Sequence, residues 1–445
     1  MKKNIYYILA IILILVSCKK VFDVNPTDAI SSDIAFTDSV SVEKVLIGSY
    51  NALQAVGLYG RNQVIIGDLA ADNLTWTGTS LDYGQIENKP IPAENGIVDG
   101  MWSSAYDGIN RVNNILYRLP SIGYKSEKGR QSVAGEALFI RALLHFYLAT
   151  YFGGIPLKIE PTLDLTKIDM ARSPLTEVYQ QLITDLNSAR EILPKTSATG
   201  RVNAFGASSL LAKVYLANFH LTNDAASSDS AIVIAGRVIS EGGYALSPYG
   251  SLFDPTKVSD ESIFEIIYDL QNYNRLAQYF YSRDSSGRYE IAPTDAFIQS
   301  FDTNDVRLDF TITYDGKNKP YVIKYNDVSG GTDRVYVFRL AEMYLIRAEA
   351  QAYSNGDIES IQSDLNMIRV RAGLDSTQAA TIPDLKLAIE NECRLEFAFE
   401  GHRWPDLVRT KRAATLLGID EKYTLFPIPL SEKQTNNLIE QNPGY

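Results

Sequence analysis

The chain has 445 residues, 45% apolar and 21% charged, with 42 Lys plus Arg against 53 Asp plus Glu. That length holds one large domain or about two to four ordinary ones, and the composition excludes disordered, collagen-like and disulfide-scaffold classes. A formal net charge of −11 argues against a nucleic-acid binder. Tyrosines outnumber phenylalanines, 27 to 17, and a tyrosine joins a flat apolar face to a polar tip suited to half-wet recognition surfaces.

The first eighteen residues read as a lipoprotein signal. Lys2 and Lys3 lead an apolar run from Ile5 to Val16, and Leu15-Val16-Ser17-Cys18 closes it with a small residue before cysteine. The run is shorter than the ~20 residues a membrane span needs, as befits a cleaved segment. Residues 1–17 are therefore expected to be removed and Cys18 to become the acylated N-terminus. Cys393 is then the one remaining thiol, so no internal disulfide forms, and its spacing with Ile389 and Phe397 places it at a helix interface. Residues 18–40, polar and turn-rich around Pro26, read as a tether, and residues 41–445 as one folded body.

Helical periodicity dominates that body. Helices are predicted at about 41–56, 101–119, 174–193, 204–221, 228–241, 357–372 and 383–400, with two more where Ala137, Ile140, Leu144, Tyr147 and Leu148, and then Ala341, Tyr344, Leu345, Ala348 and Ala352, share a face. Gly153-Gly154, Gly242-Gly243 and Asn355-Gly356 punctuate their ends. Arg141, Lys213 and Arg347 sit in similar triplets separated by 72 and 134 residues, near multiples of the ~34-residue helical-hairpin repeat. Two stretches, 72–100 and 269–338, are too long for ordinary connections and are expected to carry function. Short strands are expected at Ile263–Ile267, Phe310–Tyr314 and Tyr321–Tyr325.

Catalytic signatures are sparse. His145, His220 and His402 occur in no metal-ligating spacing, and no GxSxG, Walker or GxGxxG motif is present, so neither a metal nor a cofactor is expected. Asp302, Asn304 and Asp305 lack the glycine and final glutamate of a calcium loop, and pairing with Arg307 is the better assignment. Glu392, Glu396 and Glu400 fall on one helical face near Arg394, His402, Arg403 and Arg409, which favours an ion-pair network over an acid cluster. With 53 acids, a glycosidase carboxylate pair stays open as an alternative. A protein-binding envelope scaffold is a third.

Several segments in order resemble the SusD/RagB family of outer-membrane nutrient-binding lipoproteins. They are Cys18 followed by Phe22-Asp23-Val24-Asn25-Pro26-Thr27, EALFIRALLHFYLATYFGGIPL at 136–157, RLAEMYLIRAEA at 339–350, RLEFAFEGHRWPDLVRT at 394–410, and FPIPLSEKQTNNLIEQNPGY at 426–445. The resemblance implies a mainly α fold: a tetratricopeptide-like scaffold of four helical units with long loop-rich insertions and a few short strands. It also implies a lipid-anchored outer-membrane protein at the cell surface, partnered by a SusC-like TonB-dependent transporter to which it delivers an oligosaccharide, or a peptide in some members, without catalysis. One departure is that Lys19-Lys20 follow the cysteine where surface-exported relatives carry acids, which favours surface exposure less.

Sugars are recognised by stacking on flat rings and by hydrogen bonds to amides, carboxylates and arginines. Asp72-Asn73-Leu74-Thr75-Trp76, with Tyr83 and Gln85 following, is the first candidate surface. Gln271-Asn272-Tyr273-Asn274-Arg275, with Tyr279, Tyr281 and Arg283 beyond, is the second. The ligand-binding set expected from these is Asp72, Asn73, Trp76, Tyr83, Tyr273, Asn274 and Arg283. Trp102 and Trp404 are assigned to packing.

Overall fold

Apolar stripes on a succession of amphipathic helices set the architecture, because each helix must bury its stripe against the next. The computed structural model describes residues 36–445 except 165 and 167; Cys18, Phe22–Thr27 and most of the tether lie outside the described residues. The helices are α1 (Ser39–Leu53), α2 (Asn62–Leu69), α3 (Leu81–Asn88), α4 (Gly96–Arg118), α5 (Glu127–Phe152), α6 (Leu175–Ile192), α7 (Ala204–Thr222), α8 (Ala225–Glu241), α9 (Leu340–Tyr353), α10 (Ile358–Arg371), α11 (Ile382–Glu396) and α12 (Arg403–Arg409), with shorter turns between. From α4 to α11 each packs on the one before it, so the series forms a continuous stack of helical hairpins. Side-chain caps start many of them: Asp38, Asn95, Ser126, Asn203, Asp224, Asp357 and Thr381 each accept a backbone N–H of their helix. Gly153, at φ 74°, ends α5 in a conformation a side chain would resist.

The weak repeat has a physical basis. Arg141 on α5 reaches Asp185 on α6 at 2.8 Å, Lys213 on α7 reaches Glu342 on α9 at 2.6 Å, and Arg347 on α9 reaches Asp364 on α10 at 2.6 Å. Each cation joins its helix to another helix of the stack. Helix α5 is long and apolar enough to cross a membrane, yet it is mostly buried between its neighbours and serves as the core helix. The closing segment is sewn to its exit: Phe426 N–H donates to Tyr151 O at 2.8 Å, and the Asn442 amide donates to Phe152 O and Phe426 O.

Three two-stranded antiparallel ribbons complete the fold. Strand β1 (Leu74–Trp76) pairs with β3 (Ile291–Pro293), β2 (Ser262–Ile266) with β6 (Val335–Arg339), and β4 (Ile312–Tyr314) with β5 (Pro320–Val322). The expected strand at 310–314 is shorter, because Phe310 closes a helical turn at Arg307–Thr311. The stretch 72–100, expected as a loop, instead contains β1, α3 and the start of α4. Its polar composition hid a strand whose partner lies more than 200 residues away.

A buried ion-pair network joins the long insertion to the C-terminal helices. Arg339, 1% exposed, donates to Glu396, Glu400 and Glu261 at 2.7–2.9 Å. Arg307 binds Asp305, Glu392 and Glu396, Arg371 binds Glu261 and Glu396, and Lys324 binds Glu400. The three glutamates are thus structural, and Asp305 does pair with Arg307. Burial alone would raise the Glu396 carboxyl, but Arg371, Arg339 and Arg307 outweigh it and hold it well below its ordinary 4.5.

Glu396→Gln is expected to destabilise the protein by about 3–5 kcal/mol at pH 7 in urea unfolding, since it strands several buried cations. Because the folded value is depressed, the contribution of Glu396 is present above pH 4.5 and is lost as the pH falls. The gap between wild type and Glu396→Gln should therefore narrow on acidification; a gap independent of pH would contradict this assignment.

Candidate functional site

The segment from Arg394 to Trp404 fixes both expected ligand-bearing stretches. Arg403 donates to Asp72 at 2.8 Å, while Arg394 pairs with Asp72 at 3.0 Å and donates to the Asn73 carbonyl oxygen of the side chain at 2.8 Å. Buried Asp68 accepts from Asn73 at 2.6 Å and from the Gly401 N–H at 3.1 Å. Burial pushes the Asp68 carboxyl up to about 6 despite these donors. Gly67 packs so closely on Gly401 that an added Cβ would lie 2.2 Å from the Gly401 carbonyl oxygen. At the far end of α3, the Lys89 ammonium sits 4.4 Å from the Trp404 ring centroid and donates to Ala70 O and Ile86 O. Desolvation lowers that lysine to about 7.

Pairing of β1 with β3 brings the two stretches together. Glu87 accepts from the Thr75 hydroxyl and the Trp76 N–H at 2.7 and 2.9 Å, and the buried Glu290 carboxylate accepts the N–H groups of Thr79 and Ser80 at 2.9 and 3.1 Å. Glu87 thus ties Trp76 to α3, and Glu290 ties the turn after it to the insertion. The indole lies on Gly84, where a Cβ would come within 2.6 Å of its Cε3. Across the same surface, Tyr83 meets Tyr279 edge-on with centroids 6.0 Å apart, and Tyr279 lies between the guanidiniums of Arg61 and Arg288, 4.4 and 4.9 Å from its centroid. Tyr273, 43% exposed, is covered on one side by Arg275 at 4.5 Å, which also donates to its hydroxyl at 2.8 Å.

The structure divides the expected residues into two groups. Trp76 is half-buried and Tyr273 and Arg283 are exposed, so these three keep a face open to solvent. Asn73, Tyr83 and Asn274 are corrected to scaffold positions, since they are 0%, 1% and 3% exposed and offer a ligand no face. Asn274 donates to Asp333 O at 2.7 Å and accepts the Leu276 N–H at 3.1 Å. Asp72 is likewise committed to its two arginines. Sequence reading passed over Arg61, Arg288, Glu87 and Glu290. Only the alternation in Arg288-Tyr289-Glu290-Ile291 signalled a strand edge there, and Arg61 carried no local cue. The cavities between helices lie elsewhere: one of about 120 Å³ is lined by Phe146, Tyr179, His220 and Leu425. Among the described residues no group of three His, Cys, Asp or Glu is placed to hold a metal ion.

The overall fold recurs in known proteins. A family model described as starch-binding and associating with the outer membrane matches residues 22–216, and the SusD family model matches residues 321–423. The chain belongs to the SusD/RagB family. Its relatives include SusD-like protein P2 of Formosa agariphila, 26% identical over the whole of both chains, and the starch-binding protein SusD of Bacteroides thetaiotaomicron, 34% identical over 122 residues that cover 24% of this chain and 21% of that one. A SusD superfamily crystal structure from Bacteroides vulgatus superposes with a TM-score of 0.83 at 22% identity, covering 92% of this chain and all of that one. A laminarin-binding SusD-like protein superposes with a TM-score of 0.79 at 25% identity over 92% of this chain and all of that one. These matches make the fold the mainly α SusD-like one.

Asn274→Ala should cost about 1–3 kcal/mol of unfolding free energy, since it leaves a buried carbonyl and a helix-start N–H without partners. Tyr273→Ala should change stability by no more than about 0.5 kcal/mol. Equal losses in chemical denaturation would contradict the division into scaffold and surface.

Proposed function

We propose that this SusD/RagB protein is an outer-membrane lipoprotein, anchored through Cys18, that binds an oligosaccharide on the Trp76–Tyr273 surface and passes it to a SusC-like TonB-dependent transporter. The observation that supports the reading is the pairing of β1 with β3, which ties the half-buried Trp76 strand to the insertion that also carries the exposed Tyr273 phenol and its neighbouring amides and guanidiniums. Flat rings next to fixed donors match the alternating C–H faces and hydroxyls of a sugar chain. The relatives named for starch and laminarin binding support a glycan as the ligand class. Membership of a family described as associating with the outer membrane supports the location.

Binding without bond cleavage fits the carboxylates at this surface. Glu87 and Glu290 each accept hydrogen bonds from backbone N–H groups and neighbouring hydroxyls, so they serve as struts for the loop. A hydrolase would need two free carboxyl groups flanking the scissile bond, one facing the glycosidic oxygen and one facing the anomeric carbon.

Isothermal titration of the purified protein with a panel of soluble oligosaccharides should find a ligand whose affinity falls about tenfold, or ~1.4 kcal/mol, in Trp76→Ala and in Tyr273→Ala. No new reducing ends should appear on prolonged incubation. Unchanged affinity in both variants, or sustained turnover abolished by one Asp or Glu substitution, would overturn the proposal.

A further inference from the structure

The surface carries a charge pattern that a neutral sugar does not require. Three arginines, Arg61, Arg275 and Arg288, lie against the rings of Tyr273 and Tyr279, and Arg283 adjoins Arg288, in a chain of net charge −11. Backbone bonds hold them together: the Arg275 N–H donates to Gly60 O at 2.9 Å, the Arg288 N–H to Gln278 O at 2.7 Å, and the Arg283 Nε–H to Arg288 O at 3.4 Å.

Several arginines of the helical stack and of the buried network are closely neutralised. Arg141, Arg307, Arg339, Arg347 and Arg403 all have a carboxylate oxygen within 2.8 Å. Here, among the described residues, Arg61, Arg275 and Arg283 form no ion pair, and Arg288 meets Glu290 only at 3.8 Å with half its side chain exposed. The acids nearby are already engaged. Glu290 accepts the Thr79 and Ser80 N–H groups, Asp284 pairs with Lys317 at 3.0 Å, and Asp269 and Asp327 accept N–H groups of their own turns. What remains is a set of guanidiniums, Arg283 and Arg288 exposed and the other two half-buried, with no counter-ion among the described residues nearer than Glu290 at 3.8 Å and three of them resting on tyrosine rings. A guanidinium binds carboxylate or sulfate oxygens in a bidentate manner and sheds water readily, so such forks are suited to a repeating anion.

We propose that the ligand is an anionic oligosaccharide, its uronate or sulfate groups held by Arg275, Arg283 and Arg288 while its rings rest on Trp76 and Tyr273. This rests on the glycan-binding reading above and specifies its substrate class. Short-range attraction between these guanidiniums and the anion would then weaken with salt, which screens it over about 8–10 Å.

The test is titration of the purified protein with four probes of similar length: an oligogalacturonate, a sulfated carrageenan oligosaccharide, a laminari-oligosaccharide and an oligoglutamate peptide. One anionic glycan is expected to bind at least about tenfold more tightly than the neutral one at low salt, with affinity falling as salt rises, and which of the two does so identifies uronate or sulfate. In the Arg275→Gln/Arg288→Gln variant, and separately in Arg283→Gln at a fully surface position, that preference should shrink by about tenfold in the pair and measurably in the single variant, with the far-UV spectrum unchanged. Laminari-oligosaccharide bound as well as or better than both anionic glycans overturns this inference and leaves the glycan-binding reading standing. Binding of no oligosaccharide overturns both. Preference for oligoglutamate over every glycan also overturns it, by assigning the forks to acidic peptides.

Discussion

The constraint on which the rest of the molecule depends is the double grip of residues 392–404. One side of this segment supplies Glu392, Glu396 and Glu400 to the buried cations of the insertion, Arg307, Lys324 and Arg339. The other supplies Arg394 and Arg403 to Asp72, and the Gly401 N–H to Asp68. Two stretches more than 190 residues apart in the chain are thereby fastened to the same short helix and turn. Buried ion pairs add little net stability compared with apolar packing, but a broken one is expensive, so the network defines a unique arrangement.

That arrangement matters for recognition because ordering a loop on binding weakens the complex. Here the ordering is done in folding. The Trp76 strand is paired with β3, its following turn is bound by Glu290, and Asn274 pins the insertion beneath Tyr273. The residues that bear the surface therefore stand on elements held by hydrogen bonds made in folding, although the buried Trp76 Nε1 has no partner among the described residues. The arginines beside them are held by neutral groups, Arg275 by Gln278 and Tyr273 and Arg283 by the Arg288 carbonyl.

The helical scaffold was legible in the sequence because its signals are local. Apolar spacing at three and four residues places α6 and α7 to within one residue at each end, and Asn203 and Gly153 mark a start and a stop through capping chemistry. That Glu392, Glu396 and Glu400 are ion-paired was readable, but their partners were not: Arg394 and Arg403 turn to Asp72 and Arg409 to Glu349, while the three carboxylates bind Arg307, Lys324, Arg339 and Arg371 from distant segments. The site was less legible, since its order depends on distant pairing. Nothing near Trp76 announces that residue 291 will lie opposite it, and Asn73 and Asn274 look like exposed polar loop residues until Asp68, Arg394 and Asp333 enclose them. A polar residue in a loop between aromatic residues has two fates, and only tertiary contacts choose between them.

The most direct test is hydrogen–deuterium exchange of the purified protein with and without whichever oligosaccharide it retains in titration. The account predicts ligand-dependent protection concentrated in residues 74–84 and 271–290, with the helical stack from α5 to α8 unchanged. Protection confined to the cleft between Phe146, Tyr179 and Leu425, with none at Trp76 or Tyr273, would contradict it.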